Sequence, residues 1–134
     1  MKIIKLSILL TVIFIFTFSN PVPAQDSKNS QDITSAIQKG DYQKLTESLN
    51  TTIDLQIGET DGNYSKIQAK QILKNFFKKY PPKSYKTIHE GSSKNSSKYI
   101  IGSYVSEKKE FRVYILLKKI NSKLLIHILQ FEEE

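Results

Sequence analysis

Three small sets of residues in this chain could act on another molecule. Lys66, Lys70, Lys74 and Lys78 recur at every fourth position, His89 and His127 are the two histidines, and Tyr85, Tyr99 and Tyr104 carry phenols. A spacing of four stacks the ammonium groups along one side of a helix, which suits an anionic surface. Two imidazoles can share a metal ion only if they meet on one face with a further ligand beside them. They stand on segments far apart in strand order, so two unrelated strand histidines and no metal site are expected. The phenols could stand at a pocket rim, although tyrosine is also a common strand residue. No Ser-His-Asp order, glycine-rich phosphate loop or paired-carboxylate motif accompanies these groups. No catalytic residue and no cofactor is therefore assigned.

Composition narrows the classes further. The chain has no cysteine, which removes disulfides, thiolate metal sites and a cysteine nucleophile. Its formal net charge is +7, and loss of Lys2 and Lys5 with a leader would leave +5. Arg112 is the only arginine. Sequence-reading nucleic-acid proteins lean on arginine for bidentate contacts to guanine and phosphate, so no specific nucleic-acid partner is expected.

The N-terminus has the order of a secretory leader: Lys2 and Lys5, an apolar run over 6–18, then "SNPVPAQ" with small residues at Val22 and Ala24. The run is shorter than the roughly 20 residues that span a bilayer. The division expected is a signal peptide over 1–24, a flexible leader over 25–30 and one domain over 31–134. The mature protein is then exported, periplasmic or extracellular, with no transmembrane anchor after processing.

The elements that must position the candidate residues follow from periodicity. Ile33, Ala36 and Ile37 predict a helix from about Gln31 to Lys39, capped by Ser30 and stopped by Gly40. Asp41 caps a short second helix carrying Leu45 and Leu49 on one face. "TIDLQIG" alternates as a strand does, with Ile53, Leu55 and Ile57 on its buried side. After a turn that can hold a short second strand, Ser65 and Gln68 form a capping box. Ala69, Ile72, Leu73, Phe76, Phe77 and Tyr80 then make the apolar stripe of a long helix, ended by Pro81-Pro82. "SYKTIHEG", "SKYIIGSYVS", "EFRVYILLKKI" and "KLLIHILQF" read as four strands joined by short turns, hence antiparallel.

That order, α-α-β-(β)-α-β-β-β-β, resembles the nuclear transport factor 2-like superfamily. The segment "YSKIQAKQILKNFFKKYPPKSYKTIHEGSS", with "FRVYILLKK" and "LLIHILQFE", is similar to a small family of exported bacterial domains with this fold and no assigned activity. The resemblance implies an α+β fold, a curved antiparallel sheet wrapped around the long helix. It does not choose a function, because the superfamily holds isomerases, dehydratases, hydrolases, small-molecule binders and association modules.

Within such a cone, the candidate cavity residues are Ile57, Phe76, Phe77, Tyr80, Val113 and Ile115. Alternation places Phe111, Val113, Ile115 and Leu117 inside on one strand, and Leu124, Ile126 and Ile128 inside on the last. The opposite parity leaves Arg112, Tyr114, Leu116, Leu125, His127, Leu129 and Phe131 outside. That set is more apolar than a wet surface and is the candidate interface, on the side through which domains resembling this one often dimerise. By this alternation no ionisable group from the first strand, from "EFRVYILLKKI" or from the last strand enters the cone. The reading is an exported, non-catalytic binding or association domain, serving a small apolar ligand or a protein partner, a homodimer included. One alternative is a small isomerase or dehydratase, which needs His127 or a tyrosine inside the cavity. Another is binding of Lys66, Lys70, Lys74 and Lys78 to an anionic envelope surface. Like charges at this spacing cost a helix only about 0.2–0.5 kcal/mol per pair, against about 1.5–3 kcal/mol for each buried phenylalanine.

Overall fold

A computed structural model describes residues 24–134 other than 94. The long helix α3 (Lys66–Lys79) shows how closely local chemistry is followed. The Ser65 hydroxyl accepts from the Gln68 amide at 3.3 Å, and the Gln68 side chain accepts from the Ser65 amide at 3.0 Å. Ala69, Leu73, Phe76 and Phe77 are buried along one side, with Ile72 and Tyr80 packed at the margin. Beyond Tyr80 the two prolines force an extended path, and the next strand begins at Pro82.

Helix α1 spans Ala24–Lys39 and α2 spans Tyr42–Glu47. Gly40 takes φ +66°, and the amides of Gly40 and Asp41 reach back to the Ile37 and Ala36 carbonyls, closing α1 as a Schellman motif. Asp41 then caps α2 by accepting from the Lys44 amide at 3.0 Å. The start of α1 differs from expectation. Residues 25–30 are helical rather than a loose leader, and Ser30 lies inside the helix, where its hydroxyl donates to the Asp26 carbonyl at 3.0 Å. Asp26 in the first turn suits the helix dipole and meets the Lys119 ammonium at 3.3 Å. The expected signal peptide lies outside the described residues apart from Ala24, the first residue of α1.

The strands are β1 (Leu49–Ile57), β2 (Thr60–Ser65), β3 (Pro82–Ser92), β4 (Ser97–Ser106), β5 (Glu110–Ile120) and β6 (Lys123–Glu133). They form one sheet in the order β2-β1-β6-β5-β4-β3. Each hairpin is antiparallel, while β6 returns beside β1 in parallel. The helices cover one face, so the sheet has an inner side toward them and an outer side away from them.

Irregularities curve the sheet. Between β3 and β4 the register slips past Ile88, leaving that side chain 64 % exposed on an edge strand. Gly102 lies directly beneath the Tyr85 ring, where any Cβ would clash, and Gly91 lies beneath Tyr99 in the same way. Glycines covered by cross-strand aromatics are a recurrent way to bend a sheet without exposing its backbone.

The most consequential irregularity is in β6. Leu116 pairs with Ile128 but Leu117 pairs with Ile126, so His127 is an extra residue, a β-bulge. One inserted residue reverses the inward–outward alternation beyond it. Leu124 and Ile126 are buried as expected, but then Leu129 and Phe131 are buried and Ile128 is half-buried on the outer side. The expectation that Leu129 and Phe131 face outward is therefore corrected: both have no exposed surface and belong to the core.

Candidate functional surfaces

Inside the cone, the six candidate cavity residues are brought together but packed. Phe76, Phe77, Val113 and Ile115 are buried, and Ile57 and Tyr80 lie partly buried against them. Phe76 is the hub: its ring centroid is 4.5 Å from Phe131, 5.2 Å from Phe111, 5.4 Å from Phe77, 5.5 Å from Tyr104 and 5.7 Å from Tyr80. A cavity of about 290 Å³ opens beside this cluster. Tyr80, Pro81 and Pro82 line it, with Ser106 and Glu107 and the lysines Lys79, Lys83 and Lys108. Tyr80 is the one candidate cavity residue that borders it.

The phenols act structurally in this arrangement. Tyr104 is fully buried and its hydroxyl donates to the Tyr80 carbonyl, tying β4 to the end of α3. Burial raises its pKa strongly, so the proton stays in place at physiological pH. Burial likewise raises Tyr85, partly offset by its hydrogen bond with Thr87. Removing the Tyr104 hydroxyl orphans a sheltered carbonyl, so Tyr104→Phe is expected to lower stability by about 1–3 kcal/mol. Urea unfolding followed by circular dichroism reads this directly, and an unchanged midpoint would remove the proposed tie.

The histidines do not meet. His89 Nε2 lies 3.0 Å from the Tyr99 hydroxyl on the exposed edge of the sheet. His127 stands on β6, three strand spacings away in sheet order, or roughly 14 Å. Among the described residues no group of three potential metal ligands is assembled.

On the outer side of the sheet, registers set the neighbours. Across β5 and β6 the rows run Arg112–Glu132, Tyr114–Gln130, Leu116–Ile128 and Lys118–Leu125. Across β5 and β4 they continue from Tyr114 to Ile101 and from Leu116 to Tyr99. Arg112 is exposed, while Tyr114, Leu116, Leu125 and His127 are half-buried as a monomer leaves them. Ile101 and Ile128 complete the apolar centre. Alternation in "SKYIIGSYVS" was a signal available for Ile101, whereas nothing in the local pattern marks Ile128, because the bulge alone turns it outward.

His127 is the odd member of this face. Its Nε2 is buried and has no hydrogen-bond partner among the described residues. Burial lowers its pKa, and the nearby Lys118 ammonium lowers it further, so the neutral ring is favoured. For a base with a lowered folded pKa, the contribution to stability is complete above the unfolded value of about 6.5. It is lost as pH falls through that value toward the lowered one.

On α3, Lys70, Lys74 and Lys78 are exposed and Lys66 is half-buried. The ion pairs among the described residues are Lys44–Glu47, Lys98–Glu90, Lys109–Glu133 and Lys119–Asp26, so no lysine of α3 takes part in one. No helix of the described residues is long and apolar enough to cross a membrane.

Residues 30–132 match the model of a protein family described as a domain of unknown function, DUF4783. Crystal structures of two proteins of that family are similar. One, from Bacteroides uniformis, has a TM-score of 0.74 at 24 % identity, covering 78 % of this chain and 95 % of that one. The other, from Bacteroides fragilis, has a TM-score of 0.72 at 22 % identity, covering 85 % of this chain and all of that one. A Nostoc punctiforme protein of unknown function with a cystatin-like fold aligns at a TM-score of 0.63 and 14 % identity, covering 81 % of this chain and 87 % of that one. These similarities establish the nuclear transport factor 2-like, cystatin-like fold. No curated protein matches the chain.

Proposed function

This chain belongs to the DUF4783 family of domains of unknown function, and we propose that it is an exported, non-catalytic association domain that pairs with a second copy of itself. The pairing surface is the outer side of β4, β5 and β6. The observation that supports this reading is the half-buried row of Ile101, Tyr114, Leu116, Leu125 and Ile128 on the side of the sheet that no helix of the described residues covers. Contiguous apolar surface of this kind favours an interface.

Charge placement favours a copy of the same chain. Lys118 stands at one end of the patch and the Arg112–Glu132 row at the other, with Tyr114 and Leu116 between them. A two-fold axis through the middle, tilted so that β5 of one copy crosses onto β6 of the other, exchanges the ends and sets Lys118 of each copy over Glu132 of the other, in the isologous manner. His127 lies at the Lys118 end, so the same axis brings Gln130 and Glu132 of the other copy toward its unpartnered Nε2. The N-terminal order of basic, apolar and small residues supports export. Cleavage after Ala24 would leave Gln25 first, as N-terminal sequencing of protein from its host would read.

Charge exchange tests the pairing. Lys118→Glu and Glu132→Lys are each expected to shift the protein toward monomer in light scattering. The double variant should recover the dimer, because the exchanged charges again oppose across the axis. Two single variants that dimerise as the parent does, or a double variant that stays monomeric, would count against this surface.

A further inference from the structure

We infer that the exposed side of α3 is a docking surface for anionic, phosphate-bearing lipid headgroups. From Tyr64 to Lys83 the chain holds Lys66, Lys70, Lys74, Lys78, Lys79 and Lys83 and not one acid. The four ion pairs among the described residues all use lysines elsewhere. Lys66 to Lys78 covers twelve residues of helix, a row of charge roughly 18 Å long. Lysine offers strongly hydrated point charge without arginine's planar fork, which suits diffuse headgroups better than base edges.

The second observation is Ile67. It is 83 % exposed, beside Lys66 in the first turn of the same helix. Among the described residues it is not part of the core cluster, whereas Ala69, Leu73, Phe76 and Phe77 bury the opposite side of α3. An exposed apolar residue next to a lysine row is the arrangement by which surface helices add a small apolar anchor to electrostatic attraction. A soluble polyanion would gain from the lysines but not from Ile67.

The placement has a consequence that rests on the dimer proposed above, although binding itself does not. Helices cover the inner face of the sheet, so joining two outer faces would point the two lysine rows away from each other. Such a dimer would bridge two vesicles.

The experiment is co-sedimentation of the chain from Gln25 to Glu134, which carries every element of the described fold after the first residue of α1, with phosphatidylcholine vesicles containing or lacking phosphatidylglycerol. Binding is expected only with the anionic lipid and is expected to fall steeply as salt rises. Lys70→Gln, Lys74→Gln and Lys78→Gln together should weaken it on the order of 100-fold, with circular dichroism unchanged. Ile67→Ser should weaken it further but leave binding to soluble polyphosphate untouched. Turbidity reports bridging: binding without bridging contradicts the dimer and leaves the lipid surface standing. No difference between the two vesicle types, an unaffected triple variant, or equal loss of polyphosphate binding in Ile67→Ser would overturn the lipid assignment.

Discussion

Leu129→Asp is expected to abolish the native fold. Leu129 has no exposed surface and pairs with Ile115 in β5 and Leu55 in β1, both fully buried. Removing a buried leucine side chain costs about 2–5 kcal/mol by itself. Placing an unpaired carboxylate there adds a desolvation cost that protonation only partly relieves. Domains of this size are stable by only about 5–15 kcal/mol in total, so most or all of that is consumed. Leu125→Asp supplies the contrast, because Leu125 is half-buried on the outer side. That variant should keep the circular dichroism spectrum of the parent. If Leu129→Asp instead folds normally, the bulge at His127 does not invert the strand as described.

Phe76→Ala is expected to cost about 3–5 kcal/mol. The ring sits within 6 Å of five other aromatic rings drawn from α3 and its C-cap Tyr80, β4, β5 and β6. Its loss therefore leaves a void that no single neighbour can fill. With a urea slope of about 1–3 kcal/mol per molar, the unfolding midpoint should drop by on the order of 2 M while the slope stays constant. A loss below about 1 kcal/mol would mean that the cone is open at this point rather than packed.

These two variants mark where the chain could and could not be read from its residues. Local chemistry was legible throughout α3: capping box, apolar stripe and diproline stop are each a matter of a few adjacent residues. The strands of the second half were legible for the same reason. Parity along β6 was not. "LLIHILQF" alternates acceptably in either phase, and the insertion at His127 is decided by pairing with β5 rather than by the segment itself. The outer face therefore carries Ile128 and Ile101 in place of Leu129 and Phe131, beside Arg112, Tyr114, Leu116 and Leu125. The start of α1 was hidden differently. Residues 25–30 carry no apolar periodicity, and their helix is anchored by a contact between Asp26 and Lys119, 93 positions apart.

The interior followed a similar course. Its lining was legible from the aromatic residues, but whether rings enclose space or fill it depends on how Phe131 and Tyr104 approach Phe76. The single extra residue in β6 that turns Phe131 inward helps to fill the cone. The same insertion leaves Ile128 on the outer face, so one bulge shapes both the packed interior and the proposed pairing surface.

Sedimentation equilibrium of the chain from Gln25 to Glu134, beside its Leu116→Asp variant, tests that surface most directly. A mass of twice the chain is expected for the parent at micromolar concentration and above. A folded monomer is expected for the variant, since Leu116 lies at the centre of the outer patch. A parent that stays monomeric at every concentration, or a variant that remains dimeric, would contradict the pairing.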